Sequence, residues 1–270
     1  MELLKFMNDQ DQQKQNGNIL LKIESVSKAF GGVQALWEVS FDLQAGLIKG
    51  LIGPNGAGKT TLFNLVTGIF RPDNGQIIFD NQNIQGRQVH DLVNLGIART
   101  FQNVEIFGSM SVAENVMVGQ HVRTRSGFWG AITRVPWMVR EENNIWNNAM
   151  EILSFVGIED LAHRKSSELP FGWQRLLEIA RALASNPKVL LLDEPAAGLN
   201  ATETRQLGKL LKKIQKKGIT LLLVEHDMSL TMEICDRIVV LDQGKKLAEG
   251  TPREIQNNAS VMAAYLGMGT

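Results

Sequence analysis

Along the first third of the chain, apolar and polar residues alternate with a period of two. Leu20 to Phe30 and Val39 to Leu43 read this way, with Val39, Phe41 and Leu43 set against Ser40 and Asp42. Successive side chains of a strand point to opposite faces, so the pattern predicts strands with one face buried. The turn sequence Pro72-Asp73-Asn74-Gly75 leads into Ile77-Ile78-Phe79, a further short strand. Together these segments predict antiparallel sheet around another unit.

A second kind of strand follows. Ile48-Lys49-Gly50-Leu51-Ile52, Val189 to Leu192, Ile219 to Val224 and Ile238 to Leu241 are short, mostly apolar runs. Strands buried on both faces of a mainly parallel sheet have this composition. Between them lie helical patterns such as Leu176, Leu177, Ala180 and Leu183. The order predicts an α/β core whose ligands gather at the carboxyl ends of its strands. Those ends carry Asp193-Glu194, Glu225-His226 and Asp242. From about Val89 to Glu168 no strand run is visible, so residues 89–168 are expected to form a helical subdomain inserted into the core.

Bulk properties narrow the picture. The 270 residues suffice for a substantial core, and 28 basic residues balance 28 acidic ones. That balance argues against nucleic acid held by bulk charge. Cys235 is the single cysteine, which excludes an internal disulfide and fits a reducing compartment. The apolar runs are far shorter than a membrane span. Residues 1–18, rich in Gln, Asn and Asp, lack the apolar segment of a signal peptide and read as a disordered leader to one domain, 19–270. A protein that stays on the cytosolic side is expected.

Chemistry enters after Ile52. Gly53-Pro54-Asn55-Gly56-Ala57-Gly58-Lys59-Thr60-Thr61 precedes the helical run Leu62 to Val66, a G-x-x-x-x-G-K-[ST] loop between strand and helix. Its glycines let the loop wrap so that main-chain N–H groups converge on phosphate oxygens. Lys59 supplies a point charge for the outer phosphates, and the Thr60 hydroxyl is a ligand for Mg²⁺. Asp193, read as the end of a neighbouring buried strand, is placed to hold that metal through water. Glu194 is placed to orient and partly deprotonate a water attacking the γ-phosphate. An N-cap for the next segment would account for one of the two acids, not for both.

With these residues in view, the chain resembles the nucleotide-binding subunits of ATP-binding-cassette (ABC) transporters from about Leu20 to its C-terminus. The resemblance implies a P-loop NTPase cassette: a mainly parallel RecA-like core, an antiparallel β subdomain and an inserted helical subdomain. It implies that Gln102, in "ARTFQNVEIF", senses the γ-phosphate and the metal and touches the membrane partner. It further implies that His226, in "LLLVEHDM", contacts the γ-phosphate and that Phe30 stacks on adenine. "LPFGWQRLLEIARAL" occupies the signature motif, where Gly172 offers a main-chain N–H to the ATP of an opposing subunit. Two departures stand out there: Pro170 replaces a serine and Trp173 a glutamine. In the D-loop, "PAAGLN", Asn200 stands where aspartate is common.

Within the family the wording is close to the branched-chain amino acid importers, notably "GIARTFQNVEIFGSMSVAENVMVG", "LDEPAAGLN" and "LAEGTPREIQNNASVMAAYLG". The resemblance implies transmembrane permease subunits as partners, a second cassette (LivF-like, or a second copy of the chain), and indirectly a periplasmic substrate-binding protein. It places the chain at the cytoplasmic face of the inner membrane, held through the permease. Another cargo (urea or amides, or lipopolysaccharide export) and a soluble, non-transport cassette ATPase remain alternatives. Gln120 to Trp146 mixes Arg123, Arg125, Arg134 and Arg140 with Phe128, Trp129, Trp137 and Trp146. That mixture suits a partner-facing surface, or an insertion that packs only on its own domain.

Overall fold

A computed structural model of the chain describes residues 18–120 and 136–266. The expected leader lies outside the described residues, apart from Asn18, and so do Arg123, Arg125, Phe128, Trp129 and Arg134.

β1 (Ile19–Phe30) and β2 (Val33–Gln44) form an antiparallel hairpin closed by Gly31 and Gly32, with Phe30 opposite Val33. Both glycines have positive φ, 53° and 86°, the two-residue turn that matches strand twist. β2 starts six residues before the expected strand, because its alternation breaks. Glu38 sits at φ 48°, and the buried positions Leu36 and Val39 are three apart where two would be regular. A bulge of this kind resets the inward face and hides the strand from a period-two reading.

β3 (Ile48–Ile52) and α1 (Lys59–Val66) follow, then β4 (Asn74–Phe79) and the short β5 (Gln82–Asn83). The antiparallel sheet has the order β2-β1-β4-β5. α2 (Val89–Leu95) ends at Gly96, φ 105°, and leads straight into β6 (Ile97–Arg99). This strand corrects the strand-free expectation for residues 89–168. Ile97, Ala98 and Arg99 pair in parallel with Val189, Leu190 and Leu191. Three residues are too few to show a pattern in the sequence. α3 (Val112–Gln120), α4 (Pro136–Val156) and α5 (Phe171–Ala184) then pack on one another.

The remaining elements are β7 (Val189–Asp193), α6 (Ala201–Lys216), β8 (Thr220–Val224), α7 (Met228–Ile234), β9 (Arg237–Asp242), β10 (Lys245–Gly250), α8 (Pro252–Gln256) and α9 (Ala259–Leu266). They complete a second sheet in the order β10-β9-β3-β8-β7-β6, parallel except for β10. Every residue of β3, β7 and β8 is buried. Their side chains divide by parity: Leu190, Leu192, Leu221 and Leu223 join the core under the helices, while Val189, Leu191, Leu222 and Val224 join the core under the antiparallel sheet. Cover on both faces is why these strands read as mostly apolar runs. The sheet order also corrects one expectation. β8 lies between β3 and β7, so Asp193 does not end a strand adjacent to the one that feeds the loop.

Candidate active site

Four strands side by side, β3, β8, β7 and β6, deliver the candidate residues from their carboxyl ends. The loop Gly53–Gly58 follows β3, His226 follows β8, Glu194 follows β7 and Gln102 follows β6. In the loop, two glycines are compelled by close approach. A Cβ on Gly53 would stand 2.1 Å from the Leu241 carbonyl oxygen, and one on Gly58 2.6 Å from that of Ala35.

Lys59 is buried, and its Nζ donates to the carbonyl oxygens of Gly53 at 2.7 Å and Pro54 at 2.8 Å. Burial lowers its pKa from the ordinary lysine value, while the carboxylates of Glu194 and Asp193 act in the opposite direction. The ammonium is thus partly desolvated and held by neutral acceptors, ready to exchange them for phosphate oxygens. The Gly53 main chain also meets the Tyr265 phenol of α9, whose pKa burial pushes up to about 12.

Glu194 leaves its strand in the left-handed region, at φ 47°, while its N–H donates to the Val224 carbonyl at 2.9 Å. A non-glycine residue rarely adopts that conformation, and the turn lifts its side chain out of the strand direction. One carboxylate oxygen is hydrogen-bonded to His226 Nε2 at 2.7 Å, and the other accepts from Gln102 Nε2 at 2.8 Å. Asn55, Gly56, Ala57, Gly58, Lys59, Thr60, Thr61, Gln102, Glu194 and His226 share one open hollow of about 310 Å³ with Ala35. A loop of N–H donors, a lysine and a carboxylate around one hollow is the kind of equipment that phosphoryl transfer to water uses.

The family profile described as "ABC transporter" matches residues 36–197, and a second, "Branched-chain amino acid ATP-binding cassette transporter", matches residues 245–267. The chain belongs to the ABC transporter family. It is 42% identical over 249 residues to the high-affinity branched-chain amino acid transport ATP-binding protein LivG of Escherichia coli K12, covering 92% of this chain and 98% of that protein. It superposes with a TM-score of 0.81 on the ADP conformation of an ATP-binding cassette of an ABC transporter, at 32% identity, covering 92% and 99%. A dimeric post-hydrolysis cassette bound to ADP and phosphate is also similar, with a TM-score of 0.73, 26% identity, and 87% and 99% covered. The fold is the α/β cassette and the activity of the family is ATP hydrolysis.

Not every residue assigned by resemblance reaches the cassette's hollow. Phe30, at the hairpin end, packs edge-on against Phe70 with ring centroids 5.1 Å apart and stays 41% exposed. Ala35 of the same hairpin lines the hollow, and Phe30 does not. Gly172 lies on the first turn of α5 and lines a different cavity, of about 470 Å³, with Trp173, Leu199 and Glu203. A Cβ on Gly172 would stand 2.8 Å from Glu203 Oε1. Pro170 is the N-cap of α5, and its carbonyl accepts from the N–H groups of Trp173 and Gln174, so the proline fits the helix entrance. Asn200 is the N-cap of α6: Oδ1 accepts from Thr202 and Glu203 N–H, and Glu203 closes a capping box.

Two residues near the hollow, Arg99 and Glu225, carry no role in the reading from sequence. Arg99 donates to Asp193 Oδ2 at 2.8 Å and to Asn64 Oδ1 at 2.7 Å, tying β6 to β7 and α1. A buried acid demands a cation, and that demand is the available signal; the sequence alone offers Mg²⁺ as the cation for Asp193, and the structure adds Arg99. Glu225 is buried and accepts the Ala196 N–H at 2.7 Å, with burial pushing its carboxyl pKa up. Among the described residues no group of three or more His, Cys, Asp or Glu forms a metal cage. Mg²⁺ characteristically takes one or two protein ligands and completes its shell with phosphate oxygens and water. Thr60 in the hollow, with Asp193 close enough to act on Lys59, fits that sparse demand.

Proposed function

We propose that the chain is the ATP-hydrolysing subunit of an importer for amino acids, branched-chain ones first. The observation that supports the cargo is the match over residues 245–267, which lies outside the general cassette match and carries the branched-chain description. The LivG relatives, similar over nearly their whole length, point the same way.

The geometry supports the roles of the loop, Glu194, Gln102 and His226, and the family resemblance those of Phe30 and Gly172. Main-chain groups of Gly53 to Gly58 and the Lys59 ammonium bind and orient the phosphates, while Thr61 and the helix start of α1 add N–H donors. Mg²⁺, when bound, would supply positive charge to the phosphates, and Thr60 and Asp193 would hold it with Gln102 alongside. Glu194 orients the attacking water and takes its proton; Gln102 and His226, on its two oxygens, set its direction. Phe30, exposed at the hairpin end, stacks on the base. Gly172 serves the nucleotide of an opposing cassette, which accounts for its distance from this chain's own hollow. That opposing cassette is a LivF-like subunit or a second copy, and dimeric relatives support the pairing.

No described helix is long and apolar enough to cross a membrane. Attachment to the cytoplasmic face of the inner membrane therefore falls to the permease subunits, with a periplasmic binding protein delivering the cargo. The helices within residues 89–168 form the subdomain beside the permease, counted from after β6.

The test is to co-express the chain with its membrane subunits, reconstitute the assembly in vesicles, and measure ATP-dependent uptake of labelled leucine, isoleucine and valine. Uptake that is abolished by Glu194→Gln is expected. Uptake of urea or amides without amino acids would replace the cargo; an assembly that never forms would remove the transport role.

A further inference from the structure

α5 does more than carry Gly172. Arg175 and Glu178, one turn apart, are 1% and 2% exposed and form an ion pair, Nη1 to Oε2, at 2.8 Å. The same Nη1 donates to the Phe101 carbonyl at 2.8 Å, and Nη2 donates to the Gln102 carbonyl at 2.9 Å. Glu178 Oε1 accepts the Phe101 N–H at 2.8 Å. Three main-chain groups of two consecutive residues are therefore held by one side-chain pair. Phe101 and Gln102 belong to no helix or strand, so no ladder satisfies these groups.

The arrangement is costly for a merely structural contact. Burial pushes the Glu178 carboxyl pKa up, against the Phe101 N–H and Arg175, and Arg175 Nε is buried with no partner. An apolar pair of similar volume would hold α5 against its neighbours at least as well. What an apolar pair cannot supply is a forked donor gripping two successive carbonyls. The same guanidinium lies 5.7 Å from the centroid of Phe171, and that ring closes on Gly198, where a Cβ would stand 2.9 Å from it.

We propose that Arg175 and Glu178 are positioning residues for hydrolysis: they lock the main chain at Phe101–Gln102 to the first turns of α5, so that the Gln102 carboxamide reaches Glu194 only when α5 is in register. The start of α5, at Phe171 and Gly172, then reports its placement to Glu194 through one buried pair. The inference rests on the roles given above to Gln102 and Glu194.

The experiment is a double-mutant cycle on the assembled ATPase, with bound nucleotide per chain measured alongside kcat and KM. Arg175→Lys keeps the charge but cannot fork onto both carbonyls. It is expected to lower kcat by about ten- to a hundredfold, the cost of a small misplacement, with KM for ATP changed by less than about twofold. Gln102→Ala is expected to lower kcat as well, and Arg175→Lys added to it to cost less than about twofold more. Losses that multiply in the double variant would overturn the inference, because Arg175 would then act by another route. So would an Arg175→Lys protein with full kcat beside an impaired Gln102→Ala. A Gln102→Ala protein with unchanged kcat sinks the reading of Gln102 itself, whatever Arg175 does. Where Arg175→Lys binds nucleotide substoichiometrically, Arg175→Met/Glu178→Gln, which leaves no unpaired buried charge, is carried through the same cycle.

Discussion

His226 Nε2 stands 2.7 Å from Glu194 Oε1, joining the residues that follow two adjacent parallel strands. Gln102 holds the other carboxylate oxygen. A carboxylate with a partner on each oxygen is held in one direction. Glu194→Gln preserves the shape and removes the base. The expected result is ATP binding close to that of the unaltered chain and hydrolysis slower by about 10²–10⁴, the usual contribution of a positioned acid or base. Equilibrium nucleotide binding and phosphate release measured on one preparation check both halves. Hydrolysis at the original rate would remove Glu194 from the chemistry.

Lys59 makes the opposite prediction. Its Nζ lies on Gly53 and Pro54 carbonyls, with two carboxylates near enough to act on its charge. Lys59→Ala deletes a charge-assisted partner of the phosphates, about 1.5–3 kcal/mol. ATP binding is therefore expected to weaken by about ten- to a hundredfold at unchanged protein stability, since the hollow is open and water replaces Nζ on both carbonyls. Titration calorimetry and thermal unfolding together test this. Undiminished affinity would place the phosphates elsewhere.

How much of this was legible follows from how local each signal is. The loop Gly53–Thr61 and the pair Asp193-Glu194 are contiguous, and their strand contexts are mostly apolar runs, so the sequence displayed them. The first half of β2 was hidden by one residue, Glu38, whose bulge shifts the alternation. β6 was hidden by length, and with it Arg99, because only pairing with β7 makes Ile97–Arg99 a strand. Arg175 and Glu178 were visible as residues of a helix but not as holders of Gln102, some seventy positions away, since that contact exists only in three dimensions. Gly172 and Phe30 were placed by resemblance, and this chain alone does not bring either to the hollow.

Asn200 separates helix capping from family role. Its side chain accepts two N–H groups at the start of α6, while Glu203 Oε2 accepts the Asn200 N–H at 2.9 Å. Asn200→Ala is expected to cost about 1 kcal/mol, a typical loss for a cap. In a chain of this size that lowers the unfolding temperature by about 2–4 °C. Asn200→Asp keeps the acceptor and adds a charge favoured at a helix N-terminus, so its unfolding temperature is expected to stay level or rise. Equal losses in both variants, read by calorimetry, would show that the cap is not what Asn200 contributes.

Cys235 follows α7 with its sulfur packed toward the parallel sheet: a Cβ on Gly50 of β3 would stand 3.0 Å from its Sγ. Burial raises the thiol pKa from 9.0 to about 12, with Asp236 adding to the shift. The thiolate is the reactive species, so the folded chain is expected to be nearly inert to thiol reagents at pH 8 and to release one reactive thiol per chain on unfolding. The pH dependence has a definite sign. Between pH 9.0 and about 12 the unfolded chain gives up a proton that the native chain keeps, so this group makes stability fall as pH rises through that window. Cys235→Ala removes the titration and should flatten that part of the curve while lowering stability at pH 7 through the small void it leaves. Thiol titration with and without denaturant, followed by unfolding curves of both proteins from pH 8 to 10.5, tests the chain of reasoning. A native thiol that reacts within minutes would show that the packing around α7 opens far more readily than its burial implies.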